Sequence, residues 1–351
     1  MSEYGPDART RYFDAATITL ESGAIVPGAR IAYRTWGRLA PSADNAILVC
    51  HALTGDANVD RWWGPLVGPG KALDTDRYLV VASNVLGGCY GTSGPTTRHP
   101  ATGVPWGPDF PSVTIRDMVG AQRALIEHLG IRSLALVLGG SMGAMQVLEW
   151  AIMAPDTVRS ILPIAVGAVH SPWCIGISEA QRQAIWADPS WRDGRYDAAT
   201  PPAAGLGVAR QIGMISYRSP ASFEERFSRD VNGQGFQVES YLRHQGRKLV
   251  ARFDANTYVL LTYSMDSHDV GRGRGGVEAA LASITAPTTV VGIASDVLYP
   301  VTEQHELVDG IADARYEELD SPHGHDSFLI EAAAVGEVVA RHLSAMETRA
   351  A

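Results

Sequence analysis

The sequence predicts an α/β protein in which a mostly parallel sheet is wrapped by helices and interrupted by a helical insertion. Three observations lead there. Short apolar runs recur along the chain with helical patterns between several of them, the alternation that builds parallel strands and covering helices. At Gly139-Gly140-Ser141-Met142-Gly143 an apolar run turns directly into a helix-like stretch. From about Ser171 to Asp269 the strand signal fades and helical stretches take over.

In chain order, the predicted strands are Arg30–Trp36, Ala46–His51, Tyr78–Ser83, Leu134–Leu138, Ser160–Val166, Thr288–Ala294 and Arg315–Leu319. Between the third and fourth, Ile115, Met118, Val119, Leu125, Ile126 and Leu129 recur near helical spacing, and Gly130 follows as a stop. Within the insertion, Ser178-x-x-Gln181 and Ser222-x-x-Glu225 read as capping boxes that open helices. Pro201-Pro202 and Gly271-Arg272-Gly273-Arg274-Gly275-Gly276 punctuate it. The second of these lacks the preceding strand and following Lys-Ser/Thr of a phosphate-cradling loop, so it reads as a hinge. The 351 residues divide into one large domain, 1–170 and 277–351, with residues 171–276 inserted as a helical lid.

Composition narrows the function. With 29 Lys and Arg against 38 Asp and Glu the net charge is −9, and no basic run is present, which disfavours nucleic acid and anionic membranes as partners. No apolar run approaches the ~20 residues of a membrane span. Met1 to Asp14 is polar and lacks the apolar core of a signal peptide. Cys50, Cys89 and Cys174 are odd in number, with no C-x-x-C, which predicts reduced thiols in a cytoplasmic protein and no metal site.

The chemistry centres on Ser141. Glycines flank it in the G-x-S-x-G pattern of a nucleophile elbow, where a strained turn packs a helix start so closely on a strand that a Cβ would clash. A serine hydroxyl needs a base, and the base an orienting carboxylate. Asp296 begins the loop after strand Thr288–Ala294, at the carboxyl edge where open α/β sheets place their chemistry. Asp266 and Asp269 lie in the insertion and read as solvated or capping residues. For the base, His325 is preferred over His323, because Gly324 permits a tight turn beside it and a helix begins at once. The oxyanion needs two backbone N–H donors. Met142 supplies one by position, and Leu53, after strand Ala46–His51, is assigned the other. His51 itself reads as a loop anchor and Cys50 as core filler. Acyl transfer through Ser141 follows, with hydrolysis as the default outcome.

The segments His51-Ala52-Leu53-Thr54-Gly55-Asp56, Asn84-Val85-Leu86-Gly87-Gly88-Cys89, Gly139-Gly140-Ser141-Met142-Gly143, His268-Asp269-Val270-Gly271-Arg272-Gly273 and Gly324-His325-Asp326 run in order over nearly the whole chain. Together they resemble the homoserine O-acetyltransferase family of methionine biosynthesis. The resemblance implies an α/β-hydrolase core with a helical lid, a homodimer formed through the lid, and acyl transfer from acyl-CoA, a co-substrate, with no resident cofactor. It matches Ser141, Asp296 and His325 to the family's triad. Arg210 matches the arginine that holds the substrate carboxylate, Asp326 the aspartate that binds the substrate amino group, and Tyr217 a tyrosine lining the site. A zwitterionic acceptor needs a cation at one end and an anion at the other, and a guanidinium fork suits a carboxylate.

Some positions depart from the family's usual pattern: Ala144 replaces a second glycine after the elbow, Gly213-Met214-Ile215-Ser216 differs before Tyr217, and Asp56 to Trp62 is short. The reading is therefore acetyl-CoA as donor and L-homoserine as acceptor, with succinyl-CoA as donor and L-serine as acceptor kept as alternatives. A carboxylesterase would share the triad without needing the two-ended clamp. A non-catalytic scaffold would be expected to have lost part of the triad.

Overall fold

A computed structural model describes residues 4–233 and 235–350. Eight strands, β1 (Arg11–Asp14), β2 (Arg30–Trp36), β3 (Ala46–Cys50), β4 (Leu79–Ser83), β5 (Leu134–Gly140), β6 (Ile161–Ile164), β7 (Thr288–Gly292) and β8 (Ala314–Glu318), form one sheet in the order β1-β2-β4-β3-β5-β6-β7-β8. β2 pairs antiparallel with both β1 and β4, and every later pairing is parallel. The seven predicted strands are present. β1 escaped notice because it is a short edge strand with largely exposed side chains and no apolar run.

Burial explains why the central strands read as continuous apolar runs: every residue of β3, β4, β6 and β7 is buried. Successive side chains still serve opposite faces. Ile47 and Val49 join Leu136 and Leu138 in one core, whereas Leu48 and Cys50 join Val137 in the other. The first of these cores is closed by Val335, Val338, Val339 and Leu343 of the C-terminal helix Ala332–Ala350. The second is closed by helices α1 (Ile115–His128) and α2 (Met142–Met153). Thr114 caps α1 in a reciprocal pair with Asp117, and Gly130 follows its end at φ 69°.

Between β6 and β7 lie α3 (Pro172–Trp186), α4 (Ala203–Ser216), α5 (Pro220–Phe227), α6 (Gln237–Val250) and α7 (Ala255–Asp266), together with a two-residue strand pair, Val231–Asn232 and Gly235–Phe236. α4 is clasped between α3 and α6. A Cβ at Gly205 would meet the carbonyl oxygen of Ala184 at 2.5 Å, and one at Gly246 the Gly207 carbonyl oxygen at 2.7 Å. No described helix is long and apolar enough to cross a membrane.

Three expectations require correction. The caps of α3 and α5 are Ser171 and Ser219, whose hydroxyls accept from the N–H groups of Cys174 and Ser222. Each is followed by a proline, whose fixed φ and missing N–H suit the first helical position. Ser178 therefore lies inside α3 and Ser222 inside the first turn of α5. The Gly271–Gly276 loop, expected as a bare hinge, is fastened by its two arginines. Arg272 makes two 2.9 Å bonds to Glu21, and Arg274 lies 2.7 Å from the buried Glu149. Asp266 is neither solvated nor a cap, because it pairs at 2.8 Å with the buried Arg182. Asp269 accepts from Gly271 N–H in a local turn, as expected of a capping residue.

Candidate active site

Strand β5 ends in the predicted elbow. Ser141 has φ 58° and ψ −127°, a left-handed conformation strained for a side-chain-bearing residue. It is held there by its N–H donating to Ile164 O at 3.0 Å and its carbonyl accepting from Ala144 and Met145 at 2.8 and 3.1 Å. The flanking glycines leave no space for a Cβ. At Gly139 one would lie 2.5 Å from Cys50 O, at Gly140 2.6 Å from the Phe328 ring, and at Gly143 inside the Cys50 carbonyl. The Ser141 hydroxyl makes no capping bond to α2.

Asp296 follows β7 in a loop and is itself buried. Its Oδ1 accepts from Leu298 and Tyr299 N–H at 2.8 and 3.0 Å, and its Oδ2 lies 2.7 Å from His325 Nδ1. His325 occupies a 3₁₀ turn, Gly324–Asp326, which Gly324 enters at φ 71°. Its ring is packed among Tyr217, Tyr299 and Phe328 at centroid distances of 5.9, 5.2 and 5.6 Å. Burial pulls the His325 imidazole down, but the charge and hydrogen bond of Asp296, with the charge of Asp326, outweigh it and hold the group above its ordinary value. Nε2, on the opposite side of the ring, is buried without a protein partner. His323 points elsewhere, toward Ser222 at 3.4 Å and Glu331 at 3.8 Å.

Ser141 and His325 line one cavity of about 60 Å³ with Leu53, Arg210, Tyr217 and Asp326. Asp296 and Met142 are buried behind it. The structure thus brings every predicted site residue to one place. The Arg210 guanidinium lies 5.5 Å from the Tyr217 ring, at the end of α4. Burial raises the Asp326 carboxyl above the usual range, opposed by the nearby charges of Arg210, Arg218 and His325. The loop carrying His325 is stitched to the chain after α4. Asp326 N–H donates to Tyr217 O at 3.0 Å, the Ser219 hydroxyl bonds Pro322 O, and Gly324 is so close that a Cβ would lie 2.6 Å from Ser219 N. Among the described residues, no group of three His, Cys, Asp or Glu could hold a metal ion.

Several contributors gave no sequence signal. Arg218 Nε lies 3.4 Å from Asp326 Oδ2, yet as the neighbour of Tyr217 it reads as an ordinary surface charge. Gln146, on α2, donates to Met142 O at 3.0 Å and to His51 O at 3.4 Å, tying the elbow to the loop after β3. Glu303, in the first turn of helix Val301–Gly310, has its carboxyl pushed up to about 7 by burial and then by the charges of Asp296 and Glu306. A lone helix-start glutamate carries no trace of that proximity.

A family model described as the alpha/beta hydrolase fold matches residues 45–332. A protein named homoserine O-acetyltransferase from Trichormus variabilis (strain ATCC 29413 / PCC 7937) is 55% identical over 322 residues, covering 91% of this chain and 89% of its own length. Among solved structures, a homoserine O-acetyltransferase from Bacillus anthracis superposes with a TM-score of 0.90 at 25% identity, over 95% of this chain and 97% of that one. An acetyl esterase named MekB superposes with a TM-score of 0.85 at 28% identity, over 97% of each chain. The overall shape is thus common to transferases and esterases, whereas the relative at 55% identity over nine-tenths of the chain carries the transferase name. On that ground the chain belongs to the homoserine O-acetyltransferase family, within the α/β-hydrolase fold.

Proposed function

We propose that this protein transfers the acetyl group of acetyl-CoA to the hydroxyl of L-homoserine through an acyl-serine intermediate. His325, oriented by Asp296, takes the proton of Ser141 as Oγ attacks the thioester carbonyl. The N–H groups of Leu53 and Met142 stabilise the oxyanion. The C–S bond breaks, and His325 returns the proton so that CoA leaves as a thiol. His325 then takes the proton of the homoserine hydroxyl, whose oxygen attacks the acyl-serine. As that tetrahedral adduct collapses, Ser141 recovers its proton and the O-acetyl amino acid departs.

One observation carries the choice of transfer over hydrolysis: Arg210 and Asp326 flank the same cavity as Ser141. A guanidinium and a carboxylate so placed suit the two ends of a zwitterion and position its hydroxyl against the acyl-serine. Tyr217 packs under Arg210 and lines the site. The narrowness of the cavity favours acetyl over succinyl, which would bring a further carboxylate needing its own cation. Residues 171–276 form a lid in this reading, with residues 1–170 and 277–351 as the core, and the protein acts as a cytoplasmic homodimer paired through the lid.

Thiol release measured with acetyl-CoA or succinyl-CoA, crossed with homoserine, serine or no acceptor, tests the proposal. Release stimulated by homoserine with acetyl-CoA is expected. Equal release with and without an amino acid would instead identify an esterase. Preference for succinyl-CoA or serine would keep the mechanism and replace the substrate.

A further inference from the structure

The loop after β3 holds an arrangement that the proposed chemistry has not used. Ala52 O accepts from two donors, Gly55 N–H at 2.8 Å and His51 Nδ1, also at 2.8 Å. Ala52 C=O and Leu53 N–H belong to the same peptide unit, and no peptide bond in the described residues is cis. In a trans unit the carbonyl and the N–H point in opposite directions. Fixing where Ala52 O points therefore fixes where Leu53 N–H points, and among the described residues that N–H has no backbone acceptor of its own.

We infer that His51 is a positioning residue that locks the Ala52–Leu53 peptide so that Leu53 N–H is presented to the oxyanion. The inference rests on the acyl-serine reading of the site. His51 is itself pinned from the far side. Its Nε2 accepts from Val85 N–H at 3.2 Å, so only the neutral Nδ1–H tautomer satisfies both contacts at once. The residue is buried, and burial lowers its imidazole below the ordinary value, in keeping with a neutral ring. Gln146, whose amide reaches both His51 O and Met142 O, joins this loop to the one that supplies the other oxyanion donor.

Without the Nδ1 donor, Ala52 O keeps one bond instead of two and the peptide is able to rotate. A rotated unit aims a carbonyl where the oxyanion needs a donor. Loss of one such donor lowers an acyl-transfer rate by about 10²–10³-fold.

The test compares the wild type with His51→Gln and His51→Asn. Acylation is followed in the first turnover with acetyl-CoA and, separately, with p-nitrophenyl acetate. Glutamine carries an acceptor toward Val85 but lacks a donor at the Nδ1 place, and it is expected to slow acylation about 10²-fold by either donor. The KM for homoserine should change less than about threefold, because the acceptor clamp is untouched. Asparagine places an amide N–H where Nδ1 was, and should recover at least about tenfold of the lost rate. In the wild type, nitrogen-15 spectra of the ring should show the Nδ1–H tautomer near neutral pH.

His51→Gln acylating within about threefold of wild type overturns the inference, as does a wild-type ring found as Nε2–H or as imidazolium. If the glutamine variant fails to fold, the wild-type spectrum and the asparagine variant still decide. The p-nitrophenyl acetate arm is independent of the acceptor, so it judges His51 even if homoserine fails to stimulate thiol release, the result that would sink the transferase reading alone.

Discussion

Replacing Asp296 by asparagine removes one charge and changes almost no volume, which makes the expected loss easy to attribute. Oδ1 of Asp296 is already claimed by the N–H groups of Leu298 and Tyr299. The amide oxygen of an asparagine must take that place, since an NH₂ there would face two donors. The NH₂ then faces His325 Nδ1 at the position now occupied by Oδ2, 2.7 Å away. A donor at that point forces Nδ1 to become an acceptor and moves the ring proton to Nε2, the nitrogen needed to accept from Ser141. Both the tautomer and the charge that stabilises the imidazolium are lost. The expected fall in kcat is about 10⁴-fold, the scale seen when a serine triad keeps its geometry in the wrong tautomer. That corresponds to about 5 kcal/mol of transition-state stabilisation. Thiol release from acetyl-CoA in the presence of homoserine reads the rate, and a thermal melt checks that the fold survives. A well-folded Asp296→Asn enzyme within about tenfold of wild type would refute the assignment of Asp296 as the orienting acid.

Other perturbations should separate the remaining roles. Ser141→Ala is expected to abolish the acetyl adduct in mass spectrometry of the intact protein, and retained labelling at the site would contradict the nucleophile assignment. Arg210→Ala should weaken homoserine binding by about 1.5–3 kcal/mol, or roughly 10–150-fold in KM, the loss of charge-assisted hydrogen bonds. The first acylation turnover should be unaffected, and loss of acylation alone would reverse the role given to Arg210. The raised His325 value means that its protonated form stabilises the fold fully below the unfolded-state imidazole value, a contribution lost as pH climbs through the folded value. Because the base must be neutral, activity should rise over that same climb, and an acid limb centred below pH ~6.5 would refute it. Gly143→Ala would press a Cβ into the Cys50 carbonyl, backbone that has no rotamer to yield, and should cost about 3 kcal/mol in a denaturant titration.

The parts of this protein legible in sequence are those whose physics is local. Gly139, Gly140 and Gly143 announce the elbow because close backbone approach admits only glycine, and the runs forming β3 to β7 announce a sheet covered on both faces. Asp296 and His325 were reachable because chain order and strand ends constrain them. Arg210 and Asp326 were reachable only through the resemblance, since neither a charge on α4 nor one in the turn beside His325 has anything local to mark it as lining a cavity with Ser141. What escaped was decided by tertiary contact. Proline after Ser171 and Ser219 outweighed the serines spaced like capping boxes. The fastening of Gly271–Gly276 depends on Glu21 and Glu149, far away in sequence, and the pairing of Asp266 on Arg182 of another helix. The orientation of a single peptide after His51 depends on Gly55 and Val85, and no pattern of residue types encodes it.

The stitch between Tyr217–Ser219 and Pro322–Asp326 bears on how such enzymes can be recombined. A backbone bond, a hydroxyl bond and a glycine contact join the end of α4 to the turn holding His325. The helical stretch is therefore no interchangeable cartridge. A chimera that imports residues 171–276 from a relative with another acyl preference brings one half of a matched seam, and residues 321–326 must travel with it. The unit that can be exchanged, by an engineer or by recombination between genes, spans two separate stretches of chain, and its border is drawn by the turn that carries His325.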